Sequence, residues 1–390
     1  VADKRLNVLF ITKWLPSEIN EKAGVFVEEF AKAVALQHNV TVLFVYPVRK
    51  KPAGIVAVER EDRGRLQIIK AKYWNFLPLP GILEDALTNW WTVRLFKRLV
   101  RPSFQPDIVH AHVFKAAPAA LRIGQLAACP AVLAEHSTEF IDRQALTVEY
   151  NWLAKRVFPR FARILPVSEH LRRHLLCYAP AARLEVVPNV VDTGLFAPPA
   201  EKPANGNRPK KILTVSVLRR EKAIDQLLLA LGELRKSRTD FTLDIVGDGG
   251  ERRKLEELTA KLGLGGSVRF HGQQNKATVA AFMKGCDLFV LPTTLETFGC
   301  VFIEALACGK PVVARRIDPL PEFISPAMGI LFPPDQPGAL IQALAKMLDH
   351  YGSFSSERIV ANIRANFSFE AVAARLDRIY RAVISERSDS

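Results

Sequence analysis

Residues 287–314 read DLFVLPTTLETFGCVFIEALACGKPVVA, and the order of residue types in this stretch decides the fold class. Four apolar residues, Leu288 to Leu291, are bounded by Asp287 and Pro292, the length and punctuation of a buried strand. A loop carrying Glu296 follows. Phe298-Gly299 then opens an apolar helix in which Glu304 is the only charge before Lys310, and Val312 to Ala314 form the next strand. Strand, helix, strand in so short a span is a βαβ unit of a parallel sheet. Gly299 lets a ligand approach the backbone, and the free N–H groups of the first helical turn favour an anion or a hydroxyl. Helical side chains lean toward the N-terminus, so Glu304 is expected to point back at the mouth that Glu296 lines. Two carboxylates at one phosphate-friendly pocket suit hydrogen bonds from a ribose diol and from sugar hydroxyls.

The same grammar recurs along the chain. Asn7 to Thr12 is a short apolar run, followed by a turn segment with Pro16 and Gly24, a helical pattern from Val25 to Leu36 and a strand from Val40 to Val45. Lys211 to Val217, the loop Leu218 to Ala223, a helix Asp225 to Lys236 and a strand Phe241 to Val246 repeat it. Further short strands are expected at Ile108–Ala111, Ala131–Ala134, Ile164–Val167 and Val268–His271. Between the two beginnings, Phe196 to Lys211 holds four prolines, a glycine and two asparagines, the composition of an exposed linker. The expected organisation is α/β with two Rossmann-like lobes facing each other across a cleft. The first lobe spans 1–196, the linker 197–211 and the second lobe 212–366. Residues 367–390 form a closing helix that returns to the first lobe. Ligands of open parallel sheets bind beyond the carboxyl ends of the strands.

Composition narrows the partners. Of 390 residues, 54 are Lys or Arg and 40 Asp or Glu, for a net charge of +14, which predicts anionic partners. The basic residues do not interleave with an RNA-binding or helix-turn-helix motif, which argues against nucleic acid. No 18 apolar residues follow one another and the start carries charge, so neither a membrane span nor a secretory signal is expected. Five cysteines, at 129, 177, 286, 300 and 308, lack a CxxC pair, and four read as buried thiols in a reducing, cytoplasmic compartment.

In full context, the stretch 287–314 resembles the retaining glycosyltransferases of family 4, whose signature is E-x7-E within a context like "ExFGxxxxEAmAcGxPVV". Glu296, Phe298, Gly299, Glu304, Ala305, Ala307, Cys308, Gly309, Pro311 and Val312 match it. Asp244-Ile-Val-Gly247-Asp248-Gly249, Val187-Pro-Asn189, Pro106-Asp107-Ile-Val-His110-Ala-His112 and Glu135-His136 are similar to further motifs of that family, so the likeness covers most of the chain. The resemblance implies a two-lobed GT-B fold, with acceptor binding on the first lobe and nucleotide-sugar binding on the second. It implies sugar transfer from a nucleoside diphosphate sugar to a glycan or lipid-linked acceptor, in envelope polysaccharide or glycolipid synthesis. A UDP-sugar is the first expectation, with GDP- and ADP-sugars as alternatives, and no cofactor. Two rival readings remain open: a nucleotide-sugar epimerase on the same fold, and a binding protein without catalysis.

Site roles follow from the same likeness. Lys222 falls on the family's diphosphate lysine, and His136 on the histidine that hydrogen-bonds the donor sugar. Glu296 is assigned to catalysis and Glu304 to the nucleotide. Gly24, Gly247, Phe298, Gly299 and Cys300 are expected to contact the donor. The family's arginine position is Val217, so Arg219 or Arg220 is expected to substitute, and the glycine after the lysine is Ala223. No two aspartates sit two apart, so a D-x-D metal motif is absent and fixed cations are expected to stabilise the leaving diphosphate. His110 and His112 are read as facing opposite sides of their strand, hydrogen-bonded near the sheet edge rather than holding metal.

A last segment, Glu84 to Arg101, is read as one helix. Arg94, Lys97, Arg98 and Arg101 fall at i, i+3, i+4 and i+7 with Trp90 on the same side, preceded by an apolar loop from Tyr73 to Pro80. A basic, aromatic face suits an anionic membrane surface, with the protein peripheral on the inner face.

Overall fold

The computed structural model describes residues 4–20, 23–52, 54–77, 79–142, 145–200 and 208–388. Its contacts divide the chain into two compact units, Val1–Val190 with Phe369–Ser390, and Val191–Ser368.

The first unit is built from β1 (Asn7–Thr12), α1 (Val25–Ala35), β2 (Asn39–Val48), β3 (Val56–Arg63), β4 (Leu66–Trp74), α2 (Gly81–Leu95), β5 (Ile108–His112), α3 (Ala117–Ala127), β6 (Ala131–Glu135), α4 (Val148–Val157), β7 (Arg163–Pro166) and α5 (Glu169–Leu175). Its seven-stranded sheet runs β3-β4-β2-β1-β5-β6-β7. All pairs are parallel except β3 with β4. The order turns at β1, with β2 on one side and β5 on the other, so the crevice for a ligand opens beyond the ends of β1 and β5.

The second unit contains β8 (Lys210–Val215), α6 (Ile224–Leu234), β9 (Phe241–Val246), α7 (Arg252–Lys261), β10 (Val268–Phe270), α8 (Lys276–Gly285), β11 (Leu288–Leu291), α9 (Cys300–Ala307), β12 (Val312–Arg315), β13 (Gly329–Phe332), α10 (Ala339–His350) and α11 (Ser356–Phe367). Its sheet is parallel throughout in the order β10-β9-β8-β11-β12-β13, and its turning point lies between β8 and β11. The chain closes with α12 (Phe369–Ser388), which belongs to the first unit. Val372, Leu376, Ile379, Tyr380 and Val383 recur on one helical face and lie in the same core as Val8, Phe10, Val34 and Val40.

Several expectations differ from the structure. The division falls after Val190 rather than 196, because Phe196 is buried and packs with Lys276 of the second unit. Lys210 and Lys211, read as linker, already pair in β8, and linker residues 201–207 lie outside the described residues. Tyr73 and Trp74, read as loop, end β4, where Tyr73 is buried with its hydroxyl 2.8 Å from that of Thr88. The helix read from Glu84 to Arg101 stops at Leu95 and continues as a π turn over Phe96–Val100, closed by Arg101 N–H on Phe96 O at 2.9 Å. That turn interrupts the regular i, i+3, i+4, i+7 stripe. Arg94, Lys97, Arg98 and Arg101 are all exposed, and Arg94 lies over the exposed Trp90 ring at 5.5 Å. Of the cysteines, three are buried, Cys300 is half-buried and Cys177 is exposed. Among the described residues no helix is long and apolar enough to cross a membrane.

The placing of His110 and His112 on opposite sides near an edge is wrong on both counts. Residues two apart in a strand share a face, and β5 lies inside the sheet between β1 and β6. The two imidazoles stack with centroids 4.3 Å apart.

Candidate functional site

In the second unit the structure brings Lys222 and Glu296 together. Lys222 stands in the loop after β8 and Glu296 in the loop after β11, on either side of the turning point of the sheet. Lys222 Nζ donates to Glu296 Oε1 at 2.6 Å, with 20% and 11% of the two side chains exposed. The loops are also joined through their backbones. Thr294 N–H donates to Glu221 O at 2.8 Å, and the hydroxyls of Thr293 and Thr294 reach the same carbonyl at 3.2 and 3.1 Å. An ammonium and a carboxylate, each partly desolvated and held on short loops, can meet a phosphate and a hydroxyl respectively. Sequence reasoning missed the two threonines, because nothing local marks a hydroxyl that clamps a carbonyl more than 70 residues away.

Ala223 occupies the position where the family carries glycine, and it keeps the backbone that glycine would adopt, φ 51° and ψ 38°, at the start of α6. An L-residue pays about 1 kcal/mol for that left-handed conformation. The replacement therefore changes the cost of the turn and not its course. Arg219 and Arg220 are both exposed, and Arg219 lies 3.9 Å from Glu221. Val217 is 38% exposed at the family's arginine position.

Gly247 has φ 133°, and a Cβ there would lie 1.8 Å from Ser216 O. A Cβ at Gly249 would lie 2.4 Å from Leu218 O. These glycines let the loop after β9 press against the loop after β8, which holds the segment before Lys222 in place. Gly299, at φ 93°, starts α9, with Cys300 as its first residue and Glu304 one turn on, both half-buried and both engaged with neighbours. Phe298 is buried against Phe323, with ring centroids 5.0 Å apart, so its ring anchors the loop and its backbone is the part left for a ligand.

In the first unit, Gly24 opens α1 at φ 68°, where a Cβ would lie 2.1 Å from Trp14 O. Only glycine fits there, so the loop after β1 folds tightly onto the start of the helix. His136 follows β6 and is 8% exposed, against Phe26 at a centroid distance of 4.3 Å. Its Nε2 lies 3.4 Å from His112 Nδ1, and its Nδ1 is buried without a hydrogen-bond partner among the described residues. His110 Nδ1 lies 2.6 Å from the Tyr380 hydroxyl. Burial pushes His110 and His136 down to about 3 and His112 well below its ordinary value, so all three rings are neutral. Beside them Glu135 is fully buried and accepts from the backbone N–H groups of Phe114, His136 and Ser137 at 2.8, 2.9 and 2.8 Å and from the Ser137 hydroxyl at 2.6 Å, tying the ends of β5 and β6 together. Burial raises its carboxyl above the usual range despite these bonds.

A second polar cluster was not foreseen. Lys13, immediately after β1, reaches Asp85 Oδ1 at 3.2 Å, and Tyr150 donates to Asp85 Oδ2 at 2.7 Å. Burial lowers the Lys13 ammonium to about 8. Lys115 pairs with Glu139 at 2.8 Å and lies over the Tyr150 ring at 4.5 Å. The available signal was a lysine directly following an apolar strand. Among the described residues no group of three or more His, Cys, Asp or Glu is arranged to hold a metal ion.

Comparison with known proteins gives the class. The family model described as Glycosyltransferase Family 4 matches residues 23–195, and the one described as Glycosyl transferases group 1 matches residues 199–365. Glycogen synthase of Mycobacterium tuberculosis is 28% identical over 304 residues, covering 74% of this chain and 72% of that protein. D-inositol 3-phosphate glycosyltransferase of Paenarthrobacter aurescens is 26% identical over 386 residues, 93% of each. Among solved structures, sucrose-phosphate synthase from Thermosynechococcus elongatus is similar with a TM-score of 0.79 at 21% identity, over 98% of this chain and 100% of that one. Anabaena HepE in complex with UDP and glucose gives 0.69 at 19% identity, over 97% and 100%. One family model matches the first stretch of the chain and the other the second, and the chain belongs to glycosyltransferase family 4, with two Rossmann-like units of the GT-B kind.

Proposed function

We propose that the chain moves a sugar from a nucleoside diphosphate sugar to a glycan or lipid-linked acceptor of envelope polysaccharide or glycolipid synthesis, with retention and without a divalent metal. The Lys222–Glu296 pair carries this reading: a cation and a carboxylate 2.6 Å apart flank the turning point of the second sheet. On donor binding, Lys222 turns to the diphosphate and stabilises the charge that develops as the sugar–phosphate bond breaks. Arg219 or Arg220, exposed on the same loop, adds a second cation. Glu296 accepts hydrogen bonds from sugar hydroxyls and Glu304 from the ribose. The backbone at Gly299 and Cys300 meets the phosphates, with Gly247 holding the loop geometry. In the first unit, the tight turn at Gly24 and the neutral ring of His136 keep the donor-contact roles that the family resemblance implies. Retention comes from attack of the acceptor on the face the phosphate leaves, with a leaving-phosphate oxygen taking the acceptor proton.

A UDP donor is supported by the UDP in the Anabaena complex, and lipid-linked acceptors by the phosphatidyl-myo-inositol mannosyltransferase of Mycolicibacterium smegmatis, 28% identical over 71% of each chain. The test is a donor screen. Protein is incubated with UDP-, GDP- and ADP-sugars and a membrane extract, with and without EDTA, and released nucleotide and product anomer are measured. Release of one nucleotide, undiminished by EDTA, with the donor's anomeric configuration kept, is expected. Magnesium-reversible loss overturns metal independence, and an inverted product overturns retention.

A further inference from the structure

Away from the candidate donor site, the second unit holds a cavity of about 640 Å³ lined only by its own residues. It lies at the opposite edge of the sheet. Lys210 is the first residue of β8, Asp287 stands just before β11, and Lys310 and Pro311 just before β12, whereas Lys222 and Glu296 follow β8 and β11. The turn Tyr351–Ser353 after α10 and the start of α11 close the other side. Along α11, Glu357, Val360, Ala361 and Arg364 recur at i, i+3, i+4 and i+7, the face turned to the cavity. A Cβ at Gly309 would lie 1.9 Å from Ser356 Oγ, so the glycine lets the start of α11 seat against the end of α9.

Four cations, Arg208, Lys210, Lys310 and Arg364, line this cavity against two carboxylates, Asp287 and Glu357. The carboxylates are engaged. Arg208 donates to both oxygens of Asp287, at 2.7 and 2.8 Å, and Lys211 N–H donates to Asp287 at 2.8 Å. Glu357 accepts from the Ser355 hydroxyl at 3.1 Å. Lys310 is different: it is 8% exposed, yet among the described residues its ammonium has no hydrogen-bond or ion-pair partner. It is not needed to cap α9, because the carbonyls of Glu304, Ala305 and Leu306 already accept from the backbone N–H groups of Cys308, Gly309 and Lys310. A largely desolvated cation calls for an anion. The exposed Arg364 and the positive end of α11, which Ser355 caps, add to the same potential. Lys210 lies over the Tyr351 ring at 4.2 Å, and Phe354, Pro198 and Pro311 supply apolar wall. The volume is that of a small-molecule site. We propose that this cavity binds a small molecule carrying a phosphate monoester on a ring or apolar body. Lys310 and Arg364 are the cations for the phosphate, and Tyr351 and Phe354 the surface for the body. The cavity shares no residue with the candidate donor site, so this assignment does not depend on the proposed transfer reaction.

The experiment titrates the full chain by calorimetry with phenyl phosphate and, separately, with inorganic phosphate. Titrations are run on Lys222→Ala, which lacks the cation of the donor loop, and on the same chain carrying Lys310→Met or Arg364→Gln in addition. Phenyl phosphate is expected to bind Lys222→Ala, and more tightly than inorganic phosphate does. Lys310→Met should weaken that binding by about 10 to 150-fold, the scale of one charge-assisted hydrogen bond, and Arg364→Gln by about 2 to 5-fold, as for an exposed charge. No binding to Lys222→Ala, or binding that Lys310→Met leaves unchanged, overturns the proposal. Equal affinity for the two probes overturns the place given to the ring. Should Lys310→Met fail to fold, Arg364→Gln, at an exposed position, decides: unchanged affinity there overturns the proposal as well. Failure of the donor-loop reading would show instead as wild-type turnover in Lys222→Ala, which has no bearing on this cavity.

Discussion

Replacing Lys222 with alanine removes two things at once, and the structure allows them to be separated. The first is a cation facing the diphosphate. Loss of one preorganised charge at a developing anion costs roughly 10² to 10³ in turnover. The second is the counterion of Glu296, whose side chain is only 11% exposed. Breaking an exposed ion pair costs up to about 1 kcal/mol and a buried one about 3 to 5. A pair with 20% and 11% exposure lies between, near 2 kcal/mol, or roughly 4 to 8 °C in melting temperature for a unit of this size. Glu296→Gln in the Lys222→Ala background removes the stranded carboxylate, so the double variant should regain most of the lost stability while turnover stays low. Thermal unfolding and steady-state nucleotide release, measured on all four proteins, complete the cycle. Wild-type turnover in Lys222→Ala would refute the phosphate role. An unchanged melting temperature in that variant would refute the reasoning from the pair's geometry.

Glu304→Ala should weaken nucleoside diphosphate binding by about 10 to 150-fold in calorimetry, the loss of a charge-assisted bond worth roughly 1.5 to 3 kcal/mol, whereas Glu296→Ala should leave free nucleotide affinity near wild type and damage sugar-dependent turnover. Lys13 titrates near 8 in the folded chain against 10.5 when unfolded, so between those values the unfolded state holds a proton that the folded state has shed. Folding therefore gains stability as pH rises through this window, and urea midpoints of wild type should climb relative to Lys13→Met from pH 8 to 10.5; parallel curves would show that Lys13 keeps its ordinary value. Glutamine at Arg94, Lys97, Arg98 and Arg101 should abolish most binding to anionic vesicles at low salt, since each exposed cation contributes ~1 kcal/mol near such a surface, and equal sedimentation of both proteins would show the patch to be only solvated.

What the sequence revealed depended on how each element earns its burial. Strands such as β1, β5, β8 and β11 are covered on both faces and so read as unbroken apolar runs. The strand Val56–Arg63 carries VAVEREDR, mostly exposed along the sheet edge, and pairs antiparallel with β4, so neither apolar run nor alternation announced it. Gly329–Phe332 opens on a glycine and leaves its two middle residues only half-buried, so it carries no fully apolar run. The π turn after Leu95 follows from backbone hydrogen bonding that side-chain periodicity does not encode. At the site, residues close in sequence were legible: Gly299, Cys300 and Glu304 stand around the start of α9 as the spacing implied. Pairings across the fold were not. Lys222 with Glu296, His112 with His136 and Lys13 with Asp85 each depend on strand order, which local pattern leaves open.

The last helix of the chain has a consequence for how the protein comes into being. The first unit is discontinuous: Val1–Val190 and Phe369–Ser390 enclose the whole of the second unit between them. During synthesis, at ~5 to 20 residues per second, the first 190 residues emerge early and then wait while 178 more are made. Over that interval the surface destined for Leu376, Ile379 and Tyr380 is open and apolar, and His110 has no phenol to bind. The second unit, continuous in sequence, can complete itself first. The earlier half is thus finished last, and a nascent chain halted before Phe369 presents a sticky, incomplete first unit for chaperones to shield.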